Sequence, residues 1–138
     1  MSLFRAILAS GCLAILSACG VQESVDDAKA MVSVFHADLD AERYGDIWKE
    51  TAPQMRKVTK EVDFEKLLAA IHRKLGKVLA AEQAGWRTNA TTQGTFIMLE
   101  MNSKFEKGQA QESFTYLRNG KDLQLAGYNI NSPALIIN

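Results

Sequence analysis

Thr95-Phe96-Ile97-Met98-Leu99-Glu100-Met101-Asn102-Ser103-Lys104-Phe105 decides the fold class of this chain. Ile97, Leu99, Met101 and Phe105 share one phase of a period of two, while Glu100, Asn102 and Lys104 share the other. That alternation is the pattern of a strand with one buried and one wet face. Lys107-Gly108-Gln109 then turns the chain into residues 110–118, where Glu112, Phe114 and Tyr116 alternate with Ser113, Thr115 and Leu117. Asn119-Gly120 follows, a strong hairpin signal because both residues tolerate positive φ. In the last run Leu123 and Leu125 hold one phase and Tyr128 and Ile130 the opposite one, which a β-bulge at Ala126-Gly127 would reconcile. With a further strand near residues 84–91, the second half reads as a curved antiparallel meander.

The first half has the helical period instead. Val25, Ala28, Val32, Phe35 and Leu39 recur on one face, which predicts an amphipathic helix over 22–41. A shorter helix over 42–51 carries Ile47 and sets Tyr44 and Trp48 one turn apart, ending near Pro53. A third, from an N-cap at Asp63 to about Val78, has the stripe Phe64, Leu67, Leu68, Ile71 and Leu75, and Gly76 kinks or ends it. Helices followed by strands make the fold class α+β, with N-terminal helices packed on the antiparallel sheet.

Before all of this stands an apolar run, 6–16, preceded by Arg5 and followed by small residues and then by Glu23, Asp26 and Asp27. It falls short of the roughly 20 residues that a spanning helix needs. Positive n-region, short h-region and small residues before a cut are the layout of a secretory signal. Leu16-Ser17-Ala18-Cys19 resembles the lipobox of a bacterial lipoprotein signal, which implies removal of residues 1–18 and acylation of Cys19, with palmitate among the chains such proteins carry. Cutting at Cys12 would halve the apolar run, so Cys19 is the better site. Two or three acyl chains hold a protein on a membrane without a spanning segment. The expected organisation is a signal peptide at 1–18, a lipidated tether at 19–24 and a single domain at 25–138. The expected location is the periplasmic side of the bacterial envelope, and Gly20 after the cysteine favours the outer membrane over the inner.

Composition narrows the function classes. Sixteen basic and sixteen acidic side chains balance, and the signal holds one of the basic ones, so the mature chain is slightly acidic and lacks a nucleic-acid binder's charge. After Cys19 there is no second cysteine for an internal disulfide. With His36 and His72 the two histidines, no zinc-ligand spacing is present, and neither metal nor other cofactor is expected. Nothing resembles a nucleophile elbow. Asn89-Ala90-Thr91 matches a glycosylation sequon by chance.

The Pro53-Gln54-Met55-Arg56 segment, the helix ending His72-Arg73-Lys74-Leu75-Gly76, then Glu112-Ser113-Phe114 and Leu125-Ala126-Gly127-Tyr128-Asn129-Ile130 together resemble a family of small bacterial proteins of unknown function. Its members are similar to the nuclear transport factor 2-like fold, a cystatin-like cone. The resemblance covers most of residues 25–131, with Leu123 and Leu125 where relatives often carry tryptophan. It implies a fold and not a reaction, since that fold hosts isomerases, dehydratases, adaptors and structural modules.

Two readings of function follow. One is a membrane-anchored binding or protein-interaction module for an apolar ligand or an envelope protein, with Tyr44, Trp48 and Tyr116 as ligand-binding candidates facing one cavity. The alternative is a small-molecule enzyme of isomerase or dehydratase type, for which His36, Asp40, Asp46 and Glu112 are the acid–base candidates, His36 and Asp40 standing one helical turn apart. None of the four has a partner motif, which makes the binding module the better reading. The apolar stretch 134–137 is expected to pack back on the domain.

Overall fold

The computed structural model describes residues 13–137. Arg5, most of the apolar run and Cys12 lie outside them, so the start of the expected signal does too. Five helices and four strands follow in the order α1 (Leu13–Asp40), α2 (Tyr44–Lys49), α3 (Pro53–Val58), α4 (Glu61–Leu75), β1 (Val78–Thr91), β2 (Gly94–Phe105), β3 (Gly108–Asn119), β4 (Asp122–Asn131) and α5 (Pro133–Ile137). The four strands form one antiparallel sheet in the order β1-β2-β3-β4.

α1 buries Val25, Ala28, Val32, Phe35 and Leu39, the stripe that its period predicts. His36 joins that buried face. The helix does not begin at residue 22 but runs unbroken through residues 19–24, which were expected to be a tether. Its reason is local: no proline interrupts the segment, and a lone interior glycine such as Gly20 costs a helix only about 1 kcal/mol. At 1.5 Å per residue, Cys19 therefore stands about 9 Å along a rigid axis from Val25, where burial starts.

The other helices shift by a few residues from their sequence limits. α2 is shorter than expected, and Pro53, expected to follow the end of a helix, instead opens α3 at its first position, where its missing N–H has no intrahelical partner to lose. α4 starts at Glu61 with Lys60 at its cap, so Asp63 is not the N-cap but a first-turn residue whose charge suits the positive helix end. Gly76 ends the helix, so residues 77–78 leave it and Val78 opens β1. Leu67 is exposed on the flank of the stripe, while Phe64, Leu68, Ile71 and Leu75 are buried. α5 packs Ala134 and Leu135 on the core but leaves Ile136 and Ile137 in solvent.

In the sheet, Ile97, Leu99, Met101, Ser103 and Phe105 of β2 and Ala110, Glu112, Phe114 and Tyr116 of β3 are buried under the helices. All three hairpins have two-residue loops, closed by the pairs Thr91↔Gly94, Phe105↔Gly108 and Asn119↔Asp122. The last loop is thus Gly120-Lys121, one residue later than Asn119-Gly120, and Gly120 alone takes positive φ there, +63°. That suits a turn with glycine in its first central position. The loop before β3 is Glu106-Lys107, and Gly108 already pairs. The bulge is where the phase slip requires it: Thr115 pairs Gly127 and Tyr116 pairs Leu125, leaving Ala126 as the extra residue. At the β4 edge the main chain of residues 50–52 continues the pairing, Ala52 N donating to Leu125 O and Leu125 N to Glu50 O.

Candidate functional site

Glu112 is on the helix-covered face of β3 and has no exposed surface. A carboxylate there must be hydrogen-bonded and paired, because desolvating it alone costs several kcal/mol. Three elements supply the partners. His36 Nε2 from α1 lies 2.8 Å from Glu112 Oε1, Ser103 Oγ from β2 donates to the same oxygen at 2.5 Å, and the Tyr128 hydroxyl from β4 donates to Oε2 at 2.7 Å. The pairing spans 76 residues of sequence and locks α1 to the sheet.

Aromatic rings close the space around the imidazole. Phe105 and Phe114 meet the His36 ring edge-on, and Phe35, Phe114 and Tyr128 pack together with centroids 4.8–5.1 Å apart. Such contacts fill the region between helix and sheet. Two open grooves flank the network. One, of about 650 Å³, is bordered by His36 with Lys29, Ser33, Glu82 and Gln83; the other, of about 700 Å³, by Ser103 with Asn102, Lys104 and Gln111.

Burial pushes the Glu112 pKa up, but the hydrogen bond and charge of His36, joined by the hydroxyls of Ser103 and Tyr128, outweigh it and hold the carboxyl below its ordinary 4.5. Burial first, and then the charge of Glu112, push the phenols of Tyr116 and Tyr128 up, so both stay neutral. A depressed folded-state pKa means that Glu112 contributes its full stabilisation above about pH 4.5 and loses it as pH falls through the folded value. Denaturant midpoints measured between pH 7 and pH 3 should therefore fall more steeply for the native chain than for Glu112→Gln. Parallel curves would contradict the ionised assignment.

The other acid–base candidates are engaged elsewhere. His36 does not pair with Asp40 as its one-turn spacing suggested; Asp40 Oδ1 instead accepts the Val78 main-chain N–H at 3.0 Å and fastens the start of β1. Asp46 is an exposed partner of Lys49 and Arg43.

Nor does the structure gather the aromatic candidates into one cavity. Trp48 packs against Phe64 with Arg56 over its ring, Tyr44 borders an open groove beside His72 and Arg73, and Tyr116 lines a small apolar recess under α1. The one-turn spacing of Tyr44 and Trp48 holds, but Tyr116 is on the far side of Ile47 from neither ring's own groove; it belongs to the sheet interior. Ser103 and Tyr128 are the residues that the sequence reading missed. Ser103 carried a signal, being a polar residue in the apolar phase of β2. Tyr128 carried none, because the bulge hides its phase.

These observations define a class: an α+β domain whose helices cover one face of a four-stranded antiparallel meander and bury an imidazole–carboxylate network between them. The chain belongs to the family described as "Protein of unknown function (DUF4019)", whose model matches residues 31–128. That span includes His36, Ser103, Glu112 and Tyr128. No curated protein and no solved structure matches the chain.

Proposed function

We propose that this protein is a lipid-anchored lipoprotein of the bacterial envelope, acylated at Cys19 and facing the periplasm, whose domain is a binding or protein-interaction module. Its fold is in kind the nuclear transport factor 2-like, cystatin-like cone. The observation that carries the binding reading is the filled interior: the ring cluster of Phe35, His36, Phe105, Phe114 and Tyr128 occupies the space where an enzyme of this shape would need a chamber. Apolar side chains stand outward instead, with Val34 on α1 and Trp86 on β1 about half exposed. The isomerase or dehydratase alternative draws on His36, which has Glu112 behind it and a groove in front. It is the weaker reading because Glu112 is held as an ionised acceptor and not as an acid. An acid transition above pH 4.5 that Glu112→Gln removes would revive it.

The anchor rests on Leu16-Ser17-Ala18-Cys19 and on the exposure of Cys19. Among the described residues no helix is long and apolar enough to cross a membrane, so attachment through α1 calls for a lipid. In a bacterial host that processes lipoproteins, Cys19→Ala should abolish fatty-acid labelling and move the domain out of the outer-membrane fraction. Unchanged labelling of the variant would sink the proposal.

A further inference from the structure

We infer that the recess between α1, α2 and the β3–β4 ladder is the docking point for a lysine side chain of a protein partner. The inference rests on the binding-module reading and gives it a site. Tyr116 lines this recess, is 1 % exposed, and its hydroxyl has no hydrogen-bond partner in the protein. A buried hydroxyl left without a partner is a cost to the fold, and it is an available acceptor for whatever enters.

The walls fix the chemistry of the occupant. Met31, Ile47 and Leu125 make the recess apolar, and its volume is ≈ 20 Å³. About 10–15 Å³ holds one water-sized group, so the space admits the slim end of a chain and no whole small molecule. A methyl-ended chain would leave the phenol unpaired. A carboxylate-ended chain would meet Asp38 and Glu50, which also border the recess. Arginine's planar fork is too broad for a space of this size. An aliphatic stem ending in an ammonium satisfies every wall: the stem lies on Met31 and Leu125, the ammonium donates to the phenol oxygen, and the carboxylates offset its charge. Asp38 is already held by Arg43 at 2.6 Å, so among the described residues Glu50 is the carboxylate without a partner. Half-exposed Val34 extends the apolar wall toward the surface that a partner would cover.

The test uses the full chain with its tyrosine rings labelled for NMR, titrated with N-acetyl-lysine methylamide and with N-acetyl-norleucine methylamide, which has the same stem but no ammonium. The lysine compound should shift the Tyr116 resonance and bind at least about tenfold more tightly than the norleucine compound, as expected for a hydrogen bond to a charged group. Tyr116→Phe should weaken lysine binding about tenfold, and Glu50→Gln about threefold. Tyr116→Phe should also leave the melting temperature unchanged or raise it, since it removes a hydroxyl that the fold does not use. Equal binding of the two compounds, or no shift of Tyr116 with either, would overturn the inference. So would a lower melting temperature for Tyr116→Phe, because the phenol would then be satisfied within the free protein. A null titration with purified chain removes the recess while the Cys19→Ala labelling result stands separately.

Discussion

His36→Leu should lower the unfolding free energy by about 3–5 kcal/mol at neutral pH, because it strands a fully buried carboxylate with two hydroxyl donors and no charge partner. Glu112→Leu should cost less, about 1–3 kcal/mol. The asymmetry comes from geometry: His36 borders an open groove and can release its proton there, whereas Glu112 has no exposed surface through which to be solvated. In the double variant the stranded charge is gone, so it should be more stable than His36→Leu alone even though two apolar side chains have replaced the pair. Equilibrium denaturation of the four proteins measures this directly. Strictly additive losses would show that the pair is not coupled and that the contact between α1 and β3 is carried by the surrounding rings.

Legibility in the sequence followed the range of the interaction. The α1 stripe and the alternation in β2 and β3 repeat over short windows, so Val25 to Leu39 and Ile97 to Phe105 could be read directly, and their burial agrees. The bulge at Ala126 was legible for the same reason, since a phase slip between Leu125 and Tyr128 is local. Where two adjacent patterns compete, the reading drifted. Val78-Leu79-Ala80-Ala81 is apolar enough to prolong a helix, yet Gly76 ends α4 and this segment opens β1. The hairpin frame moved by one residue because Gly120 alone meets the turn's demand for positive φ.

The site was less legible because its parts meet only through the fold. His36 and Glu112 were each visible as polar groups beside apolar ones, but nothing local pairs residues 76 apart, and the nearer carboxylate at Asp40 was the natural local choice. What redirected both groups is the closing of the sheet under α1. Asp40 reaches the first amide of β1, and His36, one turn earlier, is left facing β3.

Gly94→Ala should be the most damaging single methyl added to the sheet, costing at least about 3 kcal/mol. Gly94 opens β2 directly after the β1–β2 loop with φ +131°, a conformation that side chains other than glycine's rarely adopt. A Cβ at this position would also fall well inside the van der Waals radius of the Arg118 carbonyl oxygen and 3.1 Å from Leu117 Cδ1. The first of these neighbours is main chain in the middle of the sheet, so it cannot swing aside as a flexible side chain would. Relief would require separating β2 from β3 at the Thr95↔Arg118 pair, and Arg118 is tied to Asp27 on α1, so the strain would spread to the helix. Gly85→Ala is the matched control, a strand glycine in β1 with nothing within 4 Å of an added Cβ. It should stay within about 0.5 kcal/mol of the native chain. Equal stability of the two variants in denaturant unfolding would mean that β2 does not start in this conformation and that the tight hairpin joining β1 to β2 is wrongly described.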